Sequence, residues 1–228
     1  MALYVISDLH LSLGGNKPMD IFPGWDGYVE RIRHNWEATI SPADTVMIGG
    51  DISWALDLNG ALCDFQFIEA LPGKKVILKG NHDYFWSTIS KMNTFFENNG
   101  INSIRILHNN CVCAEDVCLC GTRGWIFDGS EPTDQKVILR EAGRLRLSLA
   151  EGAKTGLETL CFLHYPPLFA KERCEEILAV LHEYNVKRCY YGHIHGSGCG
   201  YAVQGMVDGI EYIMTSADYL RFKPLRIF

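Results

Sequence analysis

No stretch of this chain is apolar for anything near the roughly 20 residues that span a bilayer. Nor does a basic start with a cleavage-type tail precede its first acid, Asp8. The sequence therefore predicts a cytoplasmic protein with no membrane partner and no signal peptide. Positive charge is short too: 21 Lys and Arg face 27 Asp and Glu, a formal net charge of −6. That balance offers no basic stripe of the kind a nucleic-acid surface needs, so no stable nucleic-acid partner is expected. It does not exclude phosphorylated substrates, because bound cations reverse the field of an acidic pocket. Internal repeats, low-complexity tracts and interdomain linkers are also missing. At 228 residues the chain reads as one domain over 1–228, long enough to bury about 70% of the surface its unfolded form would expose. The oligomeric state is not legible.

Cysteine is abundant instead. Nine residues, an odd number, cannot all pair within one chain. Cys63, Cys161, Cys174 and Cys189 fall in apolar contexts, where a reduced, buried thiol acts as a small hydrophobe. The segment CVCAEDVCLCG holds Cys111, Cys113, Cys118 and Cys120. Its strict alternation about the polar pair Glu115-Asp116 predicts a hairpin with all four cysteines on one face. Zinc knuckles usually space paired cysteines two or more residues apart, so packing is the expected role. A structural metal or redox site is the alternative, and a third bound ion would reveal it.

Apolar runs alternate with amphipathic stretches. Strands are expected at 2–7, at VMIGG, at KKVILKG, at 103–107 with an edge character, at TLCFLH and at RCYYG. Helices are expected at 27–40, through the second half of LNGALCDFQFIEAL, near 87–99, at 131–151 and near 172–184. GTRGWIF reads as a turn, and strands at 200–206 and 210–215 around an Asp208-Gly209 turn close the chain. The class is α/β, with two sheets face to face, helices outside both, and the second sheet the more antiparallel.

Five strand ends carry ligand-type residues: Asp8 and His10, Asp51, Asn81 and His82, His164, and His193 and His195. In parallel α/β sheets, ligands bind beyond the carboxyl ends of the strands. His34, His108 and His182 fall in helical or loop settings and read as ordinary polar residues. Asp8, His10, Asp51, Asn81, His164, His193 and His195 form a nitrogen–oxygen set without thiolate, suited to two divalent or trivalent ions such as manganese, iron or zinc. One carboxylate must bridge a pair ~3.5–4 Å apart, and Asp51, central and flanked by glycine, is the best placed. Such a pair shares a water, lowers its pKa to supply a metal-bridging hydroxide, and clamps a phosphoryl centre. His82 is then the proton donor to the leaving group, with Asp83 accepting from its ring to fix the tautomer.

The blocks D-L-H, G-D-I-S, G-N-H-D, H-Y-P-P and G-H-I-H, in that order from Asp8 to His195, resemble the signature of the calcineurin-like metallophosphoesterase superfamily. The overall flavour, with the GTRGW segment, is similar to bacterial or archaeal predicted phosphohydrolases of undefined substrate. The resemblance implies an α/β/β/α four-layer sandwich with the site at its rim. It implies a first metal on Asp8, His10, Asp51 and His195 and a second on Asp51, Asn81, His164 and His193. It gives His82 as proton donor, with Asp83 in support. No ligand of that pattern is missing, although the first block carries serine before Asp8 and leucine between its ligands.

The expected activity is hydrolysis of a small phosphomonoester or phosphodiester, nucleotides included. The rival reading is a protein-interaction module in which metals serve only as staples. Substrate contacts are expected from the rim. Lys17 is the nearest cation for a terminal phosphate. Trp25 and Phe22 either stack on a base or pack the 12–27 loop. Arg123 either pairs with a phosphate oxygen or shapes its turn, while Trp125 reads as core. Tyr165 follows a ligand directly, on a loop stiffened by Pro166 and Pro167.

Overall fold

The computed structural model describes residues 1–125 and 135–228. Its strands, in chain order, begin with β1 (Leu3–Ile6), β2 (Thr45–Ile48), β3 (Lys74–Ile77) and β4 (Ile104–Ile106). A hairpin follows, β5 (Cys111–Ala114) and β6 (Val117–Thr122), then β7 (Glu158–Leu163) and the short pair β8 (Leu168–Phe169) and β9 (Glu172–Arg173). The last strands are β10 (Arg188–Tyr191), β11 (Gly205–Val207), β12 (Ile210–Met214) and β13 (Leu225–Arg226). The helices are α1 (Tyr28–Glu37), α2 (Leu62–Ala70), α3 (Ile89–Asn98), α4 (Gln135–Ala153) and α5 (Glu175–Glu183). Among the described residues no helix is long and apolar enough to cross a membrane.

The strands form one five-stranded sheet, ordered β13-β1-β2-β3-β4, and one six-stranded sheet, ordered β11-β12-β10-β7-β6-β5. Alternation along each strand explains why they stack. Leu3 and Val5 face inward from β1 while Tyr4 and Ile6 face the helices, and in β7 Leu160 and Phe162 face inward while Cys161 and Leu163 face out. One apolar layer thus lies between the sheets. A second joins the first sheet to α1, α2 and α3, and a third joins the second sheet to α4 and α5. The result is the four-layer α/β/β/α sandwich.

Several details depart from expectation. The second sheet is parallel through β6, β7, β10 and β12, and only its edges β5 and β11 run antiparallel. Residues Gly196–Tyr201 form a 3₁₀ turn, so the strand expected from 200 begins only at Gly205; three glycines there favour turning over pairing. The Asp208-Gly209 turn has both residues at positive φ, as a tight hairpin turn requires. The short strand β13 has no counterpart among the expected strands. It pairs with β1 through two residues only, Leu225 and Arg226, too few to leave a pattern. The helix expected from 131 is described from Gln135; residues 131–134, and the end of the GTRGWIF turn at Ile126-Phe127, lie outside the described residues.

The cysteine hairpin has the expected register, Cys111 opposite Cys120 and Cys113 opposite Cys118, with Val112 and Leu119 on the other face in the inter-sheet core. Two expectations about thiols are corrected. Cys113 and Cys118, directly opposed with Cα atoms 4.2 Å apart, are joined as a disulfide. Cys63 is exposed, lying in the first turn of α2 on its solvent side. Cys120, Cys161, Cys174 and Cys189 are buried free thiols.

Lys75 is 1% exposed in β3. Its ammonium donates to the Leu71 carbonyl at the end of α2, to the Glu69 carbonyl at 3.4 Å and to Ser103 Oγ at 3.0 Å, a cation placed where helix carbonyls lack partners. Burial outweighs the Glu69 charge and pulls its pKa down to about 8, against about 10.4 in an unfolded chain. Between those values the unfolded state holds the extra proton, so the contribution of Lys75 to stability rises with pH. Between about pH 7.5 and 9.5 the change in urea midpoint should be less positive in Lys75→Met than in wild type; equal changes would contradict this.

Candidate metal centre

The ends of β1, β2, β3, β7 and β10 converge at one rim, because all five strands run parallel within their sheets. The rims of the two sheets are tied together where Ser7 donates its N–H to the Thr215 carbonyl (2.8 Å) and shares a hydroxyl contact with Thr215 (2.7 Å). Just past the strands the chain bends sharply. Asp8, His10, Asp51 and His193 all sit at positive φ, from 47° to 72°, a conformation that costs non-glycine residues about 1–3 kcal/mol each and clusters at functional sites. Glycine makes room for these bends. A Cβ on Gly80 would run into the Asp51 carboxylate, and one on Gly192 into that of Asp8.

All seven expected ligands meet there, in two groups. In the first, His10 Nε2 lies 3.3 Å from His195 Nε2 and 3.7 Å from Asp51 Oδ2, and His195 Nε2 lies 3.5 Å from Asp8 Oδ1. In the second, His164 Nε2 lies 2.6 Å from Asn81 Oδ1 and 3.5 Å from Asp51 Oδ1, and His193 Nδ1 lies 3.1 Å from Asn81 Oδ1. Asp51 turns one oxygen to each group. Ligand atoms about 2.1 Å from a common cation are separated by roughly 3.0–3.4 Å in octahedral or tetrahedral geometry, and most of these separations fall close to that range.

Tautomers sharpen the case for cations. His164 Nδ1 lies 3.1 Å from the Gly49 carbonyl, which can only accept, so Nδ1 carries the proton. Its Nε2 lone pair then points at the oxygens of Asn81 and Asp51. His195 Nδ1 is likewise held by the Asp218 carboxylate at 2.9 Å, freeing Nε2 for the first group. Lone pairs facing lone pairs repel unless a cation lies between them. His10 Nδ1, buried without a partner among the described residues, leaves Nε2 as that ring's facing atom.

The charges tell the same story. Burial, and then the Asp8 charge, push Asp51 up to about 8. Burial would also raise Asp8, but His195, His164 and His10 around it hold it well below the usual carboxylate range. Burial pulls His195 down, yet Asp8 and Asp218 outweigh it and lift the ring to about 10. Burial, then His164, drop His193 to about 3, and burial lowers His10 and His164 as well. Three of the four ligand imidazoles are thereby kept neutral beside two buried carboxylates, and divalent cations would supply the positive charge the group is short of. The donor set fits.

His82 stands beside the groups without joining either. Its backbone N–H donates to Asp51 Oδ1 (2.8 Å), while its ring contacts the Tyr84 hydroxyl (3.4 Å) and packs 4.5 Å from Trp54. Burial, then His164, lower its pKa. Asp83 corrects the expected relay. Its fully buried carboxylate does not receive the His82 ring; it accepts four backbone N–H groups, from Asp51 (3.0 Å), Ile52 (2.7 Å), Ser53 (3.3 Å) and Gly80 (2.7 Å). Burial and the adjacent Asp51 raise it to about 7. Its task is to clamp the loop after β2 onto the loop after β3, which sets the place of Asp51.

A cavity of about 520 Å³ opens over the centre, lined by His10, Asp51, His82, His193 and His195 together with the apolar Met19, Phe22, Trp25 and Trp54. Trp25 is 3% exposed and meets His10 and His195 edge-on, with centroids 5.8 and 5.6 Å away, so it packs the loop as well as facing the cavity. Phe22 is 49% exposed at the mouth. Lys17 rides over Trp54 at 5.5 Å. Tyr165 is buried against His193, 4.3 Å between centroids. Arg123 is not part of this cavity. Its carbonyl accepts from the backbone of His164 (3.1 Å) and Tyr165 (2.8 Å), and its guanidinium turns to Glu141 at 3.7 Å and Trp125 at 5.1 Å.

Two contributors escaped the sequence. Trp54 stacks on His10 at 4.9 Å, and its only signal was its place three residues after Asp51. Asp218 orients His195 from 23 residues away and left no local signal.

The model of the family described as calcineurin-like phosphoesterase matches residues 1–197. Three solved structures share the fold: the protein of unknown function AQ665 from Aquifex aeolicus (17% identity, TM-score 0.54, covering 99% of this chain and 95% of that one); phosphopantetheinyl hydrolase (PptH) from Mycobacterium tuberculosis (15%, 0.53, 100% and 95%); and TT1561 of Thermus thermophilus (12%, 0.61, 99% and 97%). No curated protein matches. With two groups of side chains able to hold a metal at the rim of a four-layer sandwich and a family match over most of its length, the chain belongs to the calcineurin-like phosphoesterases.

Proposed function

We propose that the protein hydrolyses small phosphomonoesters or phosphodiesters with two bound cations, manganese, iron or zinc. One observation carries the reading: Asp51 presents one oxygen to each ligand group while an unligated imidazole, His82, stands alongside. When bound, such a cation pair supplies Lewis acidity toward phosphoryl oxygens and acidifies a water near neutral pH. The chain supplies the rest. Asp8, His10, Asp51 and His195 hold one cation; Asp51, Asn81, His164 and His193 hold the other. Asp83 fixes Asp51, Gly49 fixes His164 and Asp218 fixes His195, which keeps the ligand atoms in place before substrate arrives. His82 gives its proton to the departing oxygen, and Trp54 and Tyr84 hold its ring.

The apolar lining of the cavity, Met19, Phe22 and Trp54, suits the organic part of an ester and excludes water around it. Lys17, exposed beside Trp54, is the nearest cation for an outer phosphate of a nucleotide-like substrate. Trp25 and Tyr165 act mainly by holding ligand histidines. The interaction-module alternative gives no use to an unligated His82.

Purified protein supplied with manganese should cleave p-nitrophenyl phosphate or bis-p-nitrophenyl phosphate, and chelation should abolish the rate. The ratio of the two rates assigns monoesterase or diesterase preference. No metal-dependent turnover of these or of a panel of nucleotides would favour the module.

A further inference from the structure

Beside the metal centre lies a second cavity, of about 270 Å³, at the ends of β3 and β6 and under α4. Its charge is opposite to that of the molecule as a whole. Lys79, Arg123, Arg140 and Arg144 line it, with His108, against a single carboxylate, Glu141. Glu141 is fully buried and fully engaged: it accepts from Thr122 Oγ1 at 2.8 Å and from Arg144 at 2.7 Å, with Arg123 at 3.7 Å. It aligns two guanidiniums without neutralising the group. The Arg123 Nε is shielded from solvent and has no acceptor among the described residues, although its guanidinium still faces Glu141. Among the described residues, Lys79 and Arg140 have no ion-pair partner. A walled cleft lined by four cationic side chains and one carboxylate that is already engaged has the charge to receive an anion.

We infer that this cavity is a phosphate-binding site, distinct from the metal centre and a short stretch of backbone away from it. Two guanidiniums and an ammonium are the chemistry that recognises a phosphate oxyanion. The connection is short. Lys79 precedes the ligand Asn81 by two residues, and the Arg123 carbonyl holds the backbone of His164 and Tyr165. The phosphate is either a second phosphoryl group on the molecule being cleaved or free inorganic phosphate. The inference rests on the hydrolase reading only for the first of these.

The test uses manganese-loaded protein and inorganic phosphate, followed by calorimetry. Wild type should bind one more phosphate per chain than the double variant Lys79→Gln/Arg144→Gln. Lys79→Gln alone, which breaks no ion pair among the described residues, should weaken that extra site about tenfold or more. Equal stoichiometry and affinity in wild type and Lys79→Gln would overturn the site. Kinetics then identify the source. If the phosphate belongs to the substrate, Lys79→Gln raises KM for adenosine 3′,5′-bisphosphate and leaves p-nitrophenyl phosphate unchanged. If it is free phosphate, both substrates are unaffected while the extra site is still lost. Absence of turnover on every ester would count against the hydrolase reading alone, since the binding count is read without turnover.

Discussion

Asp51→Asn is expected to lower the occupancy of both cation positions. An asparagine keeps the shape of the side chain but offers one oxygen and one NH₂, so at most one ligand group retains an acceptor where Asp51 now serves two, at 3.7 Å from His10 Nε2 and 3.5 Å from His164 Nε2. It also removes the charge that offsets cation–cation repulsion. Metal per chain, measured on freshly purified protein, should fall from two to one or fewer. Turnover should fall well beyond the roughly 10–100-fold that follows loss of an outer hydrogen-bond partner. The fold should survive, because Asp83 still clamps the backbone of Asp51, Ile52 and Ser53. Unchanged metal content would show that Asp51 does not bridge.

His82→Ala should separate metal binding from chemistry. The alanine retains the backbone N–H that donates to Asp51 Oδ1, so both cations stay. What is lost is the proton donor, and turnover should drop about 10²–10⁴-fold. The loss should be graded: steep for alkyl phosphates, whose leaving alkoxide needs a proton, and shallow for p-nitrophenyl phosphate, whose leaving group is stable as an anion. A uniform drop across leaving groups, or loss of metal, would contradict the role.

That these seven residues would gather at one rim was legible in the sequence for a definite reason. Each strand is a short apolar run, and a carboxylate, amide or imidazole directly after it stands out against that run. Parallel strands then force these ends to one rim. The four layers were legible because alternate residues of β1, β2 and β7 are apolar on both faces. What stayed hidden depends on contacts that no period records. Asp83 looked like a partner for the His82 ring because it follows it, but the chain turns and delivers the carboxylate to backbone N–H groups of the neighbouring loop. Asp218 reaches His195, and β13 reaches β1, only after the chain has folded back across the rim. The order of the second sheet was also beyond reach: consecutive apolar runs suggested antiparallel neighbours, but α4 and α5 supply the crossovers that make its centre parallel.

The central claim, two cations sharing Asp51, is tested most directly by anomalous diffraction from crystals grown with saturating manganese. Two peaks ~3.5–4 Å apart are expected, one among Asp8, His10, Asp51 and His195 and the other among Asp51, Asn81, His164 and His193. A single peak, or two that do not both contact Asp51, would contradict the account.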